Sequence, residues 1–152
     1  MTSQEFEKLI DKEKYQVFIL ICPASLPFIF ARHLFFVINK KGEISRWEVR
    51  FEKHSRGIVW GHIHKNASLP NQGIPIIPYI EKWCWPARLF LEINNNQKRI
   101  EIIEESKNNY PYKDRYFITG PNSNTYIQWI LNQVPELKID LPFNAFGKNY
   151  TV

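Results

Sequence analysis

Strict alternation marks one segment of this chain. From Ile44 to Phe51 the residues change sides at every step, with Ser45, Trp47, Val49 and Phe51 on one face. Arg46, Glu48, Arg50 and Glu52 fall on the other. Successive strand side chains point to opposite faces, so the pattern predicts a strand with one core face and one wet face. Leu34 to Asn39 precedes it across Lys40-Lys41-Gly42-Glu43, a good hairpin turn. Half-buried strands joined this way predict antiparallel sheet. Gln16 to Cys22 is a continuous apolar run of strand length, the signature of burial on both faces. Pro23 to Pro27 follows as a loop, and Pro86 to Ile93 is a further predicted strand.

Helical spacing occurs three times. Residues 3–12 place Phe6, Leu9 and Ile10 on one side, and residues 96–108 run Ile100, Ile103 and Ser106 along one stripe. Tyr110-Pro111-Tyr112 stops the second helix, because proline disfavours helix in its predecessor. The third runs from Asn124 to about Gln133, ending near Val134-Pro135. Residues 52–82 read as loop-rich, Tyr116 to Thr119 as short and extended, and Leu141 to Val152 as an ordered irregular tail. The expected fold is α+β: one domain over 1–152, with an antiparallel sheet of about four to six strands and helices packed against it.

Composition narrows the function. The chain has 152 residues, 44% of them hydrophobic, enough for one real core. Twenty basic against 15 acidic residues give +5, and the charges are scattered rather than gathered on a face. The alternating signs of Arg46, Glu48, Arg50 and Glu52 cancel, which argues against a nucleic-acid surface. Two cysteines, Cys22 and Cys84, do not make a disulfide framework. Glu5, Glu7, Asp11 and Glu13 stand where a secretory signal would be basic, so a cytoplasmic protein is expected. Pro23, Pro27, Arg32 and His33 break the apolar stretch from Tyr15 to Phe36, which reads as two strands rather than a membrane span.

The candidate chemistry centres on Gly120-Pro121-Asn122-Ser123-Asn124-Thr125-Tyr126, a turn opening an amphipathic helix. Unpaired N–H groups at such a start favour developing negative charge. Ser123 is therefore placed either as a nucleophile or as an ordinary helix cap. His33 heads an apolar strand, and a strand-borne imidazole facing a nucleophile at a helix start is a known arrangement. Ser45 and Trp47, on the expected inward face of the next strand, offer no carboxylate to orient that imidazole. His62 and His64 have a spacing that metals exploit, with His54 and Cys84 as further candidates, but no carboxylate cluster accompanies them. They are read as surface-loop residues, and no metal or cofactor is expected. Cys84, between Trp83 and Trp85, is a thiol alternative to Ser123.

Pro121-Asn122-Ser123-Asn124-Thr125, Leu141-Pro142 and Ala145-Phe146-Gly147-Lys148-Asn149-Tyr150 closely resemble an uncharacterised bacterial family, domain of unknown function thirty-seven-fifty. Tyr110-Pro111-Tyr112 and the His33 strand extend the likeness over most of the chain after about residue 28. That resemblance implies no established activity. More distantly, Asn122-Ser123-Asn124-Thr125-Tyr126 looks like the nucleophile block of circularly permuted papain-like hydrolases, such as the PPPDE peptidases and the lecithin retinol acyltransferase group. Serine stands where those carry cysteine. The likeness implies a hydrolase or acyltransferase acting on an amide, ester or acyl bond. His33 would be the base and Ser123 the nucleophile, with N–H groups near Asn124 as oxyanion donors and Asn122 fixing the site. The alternative is an inactive binding module with the same pocket. In either case the expected ligand is a small molecule, lipid or peptide.

Overall fold

The computed structural model describes residues 1–51, 57–134 and 138–151. Glu52, His54 and Pro135 lie outside these. The elements in chain order are α1 (Ser3–Glu7), β1 (Tyr15–Pro23), β2 (Arg32–Lys40), β3 (Glu43–Val49), β4 (Ile58–Trp60), β5 (Ile63–Lys65), β6 (Gln72–Pro75), β7 (Cys84–Pro86), β8 (Arg88–Asn94), α2 (Gln97–Asn109) and α3 (Ser123–Asn132). Six strands form one sheet in the order β4-β5-β3-β2-β1-β8, with every pairing antiparallel. The chain is thus α+β, as its patterning predicts. Strands β6 and β7 make a separate two-stranded ribbon.

Each sheet face has its own cover. Val17, Ile19, Leu34, Phe36, Ile38, Trp47 and Val49 meet α2 through Ile100 and Ile103, and α3 through Tyr126, Ile127 and Ile130. Phe18, Leu20, Cys22, Phe35 and Val37 meet Phe6 of α1 and Ile74 and Trp85 of the ribbon. Burying both faces is why β1 and β2 read as unbroken apolar runs. Ser106 belongs on the α2 stripe because its hydroxyl lies 2.8 Å from that of Tyr126, which is fully buried between the helices. The pair satisfies a phenol that would otherwise be stranded in the core.

Four expectations are corrected. Helix α1 ends at Glu7, with Leu9 and Ile10 following in turns. The segment read as loop-rich contains β4, β5 and β6. Their three- and four-residue lengths are too short for periodicity to register. Tyr116 to Thr119, expected to be extended, runs into a turn at Ile118 and Thr119. The largest correction concerns the wet face of β3: Arg46 and Glu48 have no solvent exposure, and Arg50 only 6%. The chain from Leu69 to Gln72 crosses that face and gives the Arg46 guanidinium two carbonyl acceptors, those of Leu69 and Gln72. The same guanidinium lies 3.7 Å over the Phe35 ring and donates to Glu48 Oε2 at 2.8 Å. A buried charge is tolerable only when paired and hydrogen-bonded, and this one is. Among the described residues no helix is long and apolar enough to cross a membrane.

Candidate functional site

Strands β2 and β3 stay paired from Lys40↔Glu43 to Phe36↔Trp47 and then part, because β3 goes on through Val49 with β5. The start of α3 enters the opening. Asn124 Oδ1 accepts from the Leu34 N–H at 3.3 Å, and its Nδ2 donates to the Arg32 carbonyl at 2.8 Å. The side-chain amide thus takes the place of the missing strand on either side of His33. Its second Nδ2 bond, 2.9 Å to the Phe146 carbonyl, ties in the C-terminal tail.

The helix start settles what Ser123 is not. Asn122 is the N-cap: its Oδ1 accepts from the N–H groups of Asn124 at 2.9 Å and Thr125 at 3.3 Å. Thr125 Oγ1 accepts from the Asn122 N–H in return, completing a capping box. Ser123 is the first helical residue and its hydroxyl is not needed as a cap. Among the described residues no hydrogen bond reaches that hydroxyl or the Ser123 N–H. The Asn124 N–H is committed to the cap. Asn122 Nδ2 is committed too, to the carbonyls of Phe117 and Ile118.

Gly147 explains the other half of the C-terminal motif. Its φ is +87°, and a Cβ there would stand 2.5 Å from Asn122 Nδ2. Only glycine takes that conformation cheaply and allows so close an approach. The Gly147 carbonyl also accepts from Thr125 Oγ1 at 2.7 Å.

On the opposite side of the opening, His33 Nε2 lies 3.0 Å from Glu48 Oε2, and both residues are buried. Burial alone would push the Glu48 carboxyl up, but the charge of Arg46, the hydrogen bond and charge of His33, and the charge of Arg50 together hold it well below the usual carboxylate range. Burial lowers His33 below the ordinary imidazole value, against the pull of Glu48. An ionised carboxylate only accepts, so Nε2 carries the ring proton and Nδ1 keeps its lone pair. Glu48 is the carboxylate beside this imidazole, which sequence reasoning missed. Alternation assigned it to the face opposite the core, and that face is also His33's: His33 shares its side of β2 with Phe35 and Val37, while α3 packs on Leu34, Phe36 and Ile38. The available signal was the length of residues 52–82, since a long loop-rich stretch in a compact domain has to lie over something.

His33, Ser123, Asn122 and Asn124 all line one cavity of about 620 Å³. That is within the range of small-molecule sites, about 300–1,000 Å³. Arg50 and Tyr116 also line it; burial pushes the Tyr116 hydroxyl up to about 12, so it stays protonated.

The other candidates take structural places. His62 and His64 are buried, not surface-loop residues. His62 Nδ1 lies 2.9 Å from the Arg50 carbonyl, and its ring sits against Phe51 and Tyr116. His64 stands opposite Glu48 in the β3–β5 pairing. Among the described residues no group of three or more His, Cys, Asp or Glu could hold a metal ion. Cys84 is a free thiol that donates to the Glu81 carbonyl at 3.3 Å, and burial raises it above the ordinary thiol value. It is not among the cavity's lining residues. A thiol so placed is not activated.

The family model described as "Protein of unknown function (DUF3750)" matches residues 15–150. The chain belongs to the DUF3750 family. The match begins ahead of the motif-bearing region, at the first residue of β1, and runs to the last of the Gly147–Tyr150 motif. No curated protein and no solved structure matches the chain. Within this DUF3750 chain, the motif residues act as a unit: Asn122 caps, Asn124 bridges to β2, and Gly147 makes room for Asn122.

Proposed function

We propose that this chain is a hydrolase or acyltransferase acting on an acyl, amide or ester bond, with Ser123 as nucleophile, His33 as general base and Glu48 orienting the imidazole. The observation that carries the reading is a neutral His33, held by Glu48 through Nε2, lining the same cavity as a Ser123 hydroxyl that is not needed for capping. In the reaction, Oγ bonds to the carbonyl carbon as its proton passes to His33 Nδ1. The carbonyl oxygen takes the electron pair and faces the Ser123 N–H. Collapse expels the leaving group, which takes the proton from Nδ1. Water or an acceptor alcohol or amine then gives its proton to Nδ1 and attacks the acyl-serine, and Oγ leaves with that proton.

Ser123 and His33 line the same cavity without being hydrogen-bonded to each other. Such contacts often tighten only when substrate binds. The circularly permuted papain-like relationship belongs to this proposal and is supported by order: an early strand histidine and a late nucleophile opening a helix that packs on an antiparallel sheet. A bacterial origin rests on the family resemblance. The free thiols of Cys22 and Cys84 fit a reducing compartment, the cytoplasm. The missing Ser123–His33 bond favours a second reading, a binding module that uses the same cavity for a small-molecule, lipid or peptide ligand without turnover.

A fluorophosphonate probe separates the two. The hydrolase reading expects covalent labelling at Ser123 in the wild type, located by peptide mass spectrometry and abolished in Ser123→Ala. His33→Gln should slow labelling by at least about 10³-fold. A folded wild type that stays unlabelled at high probe concentration would remove the hydrolase and leave the binding module.

A further inference from the structure

The geometry points to a single fatty acyl chain, ending in a carboxyl or carboxyl ester, as the group the cavity holds. This rests on the reading of Ser123 and His33 as the reacting pair and names a substrate class for it. The lining of the cavity includes Leu26, Phe28, Phe51, Tyr79, Phe117 and Phe146. All six are also solvent-exposed, from 38% for Phe28 to 69% for Tyr79. Contiguous apolar surface of this kind is costly to leave in water and marks a binding site. Phe30 extends the rim by edge contacts to Phe28 at 6.2 Å and Phe146 at 6.0 Å.

The same cavity is also cationic and polar. Arg32, His33, Arg50 and Ser123 line it, and no carboxylate does so among the described lining residues. Glu48, the acid buried beside them, is bonded to Arg46 and His33. Apolar side chains, two guanidinium-bearing residues and a nucleophile lining one cavity are complementary to an aliphatic chain with a negative or developing negative end. The volume is that of a site for one small molecule.

The test is calorimetric titration of the full chain, wild type and Ser123→Ala, with hexanoate, octanoate, decanoate and dodecanoate as free monomers. Alkyltrimethylammonium ions of matched length serve as the charge control. Each methylene buried against the apolar lining should tighten binding about four-fold until that lining ends. Carboxylates should bind at least about ten-fold tighter than cations of equal length. Phe117→Ser, at an exposed rim position, should flatten the length dependence without touching the reacting groups. Affinity independent of chain length, equal binding of the cationic series, or binding to phosphatidylglycerol vesicles with none to the monomers would each overturn the proposal. Length-dependent binding to a wild type that fluorophosphonate leaves unlabelled would uphold the ligand while removing the hydrolase. Labelling of Ser123 without a length dependence would do the reverse.

Discussion

Removing the Asn124 side chain tests how the site is held together. Asn124→Ala deletes the bonds to Arg32, Leu34 and Phe146, at 2.8, 3.3 and 2.9 Å, from a residue only 3% exposed. A net hydrogen bond is worth about 1 kcal/mol, and a buried group left without a partner costs about 1–3 kcal/mol. Three bonds lost together give a destabilisation of about 3 kcal/mol or more. With a urea slope near 2 kcal/mol/M, the unfolding midpoint falls by about 1.5 M. Asn124→Asp is the sharper variant. One carboxylate oxygen can still accept from Leu34, but the other would face the carbonyls of Arg32 and Phe146, acceptor against acceptor. It should be at least as destabilised as the alanine variant despite matching asparagine in shape. Equilibrium urea unfolding by tryptophan fluorescence measures both. A midpoint for Asn124→Ala within about 0.3 M of wild type would refute the bridge between α3, β2 and the tail.

Two further predictions concern the same region. Gly147→Ala forces a side chain into a positive-φ position against the Asn122 amide and should cost at least about 2 kcal/mol, read as a lowered thermal midpoint. Stability should also fall on acidification, because His33 and Glu48 are both held below their ordinary values in the folded chain. The unfolded chain then binds protons first: their contribution is full above about pH 6.5, shrinks as unfolded histidine charges, and shrinks again below about 4.3 as unfolded glutamate protonates. His33→Gln keeps a donor for Glu48 and should remove the His33 part of the upper leg in urea unfolding run from pH 7 to 5; an unchanged leg would show that His33 is not the group responsible.

The reach of the sequence follows from what each pattern physically records. Strand alternation and helical spacing report local geometry, so β1, β2, β3, β8, α2 and α3 were legible to within a few residues, as was the antiparallel pairing across Lys41 and Gly42. Ser106 on an otherwise apolar stripe also read correctly, because a helix presents every third or fourth residue to the same neighbour whatever that neighbour is. The Asn122-Ser123-Asn124 block announced a helix start by the local chemistry of capping. It could not say which residue caps, since that depends on which oxygen the turn aims at the open N–H groups.

What the tertiary structure alone decided is the environment of charge. Alternation separates two faces but does not say that both are covered; the crossing of Leu69 to Gln72 made the polar face of β3 an interior and turned Glu48 from a solvated acid into the partner of His33. The same holds for the cavity. Its apolar and cationic lining comes from residues far apart in the chain, brought together where β2 and β3 part and α3 enters, and no local pattern encodes a gap between strands.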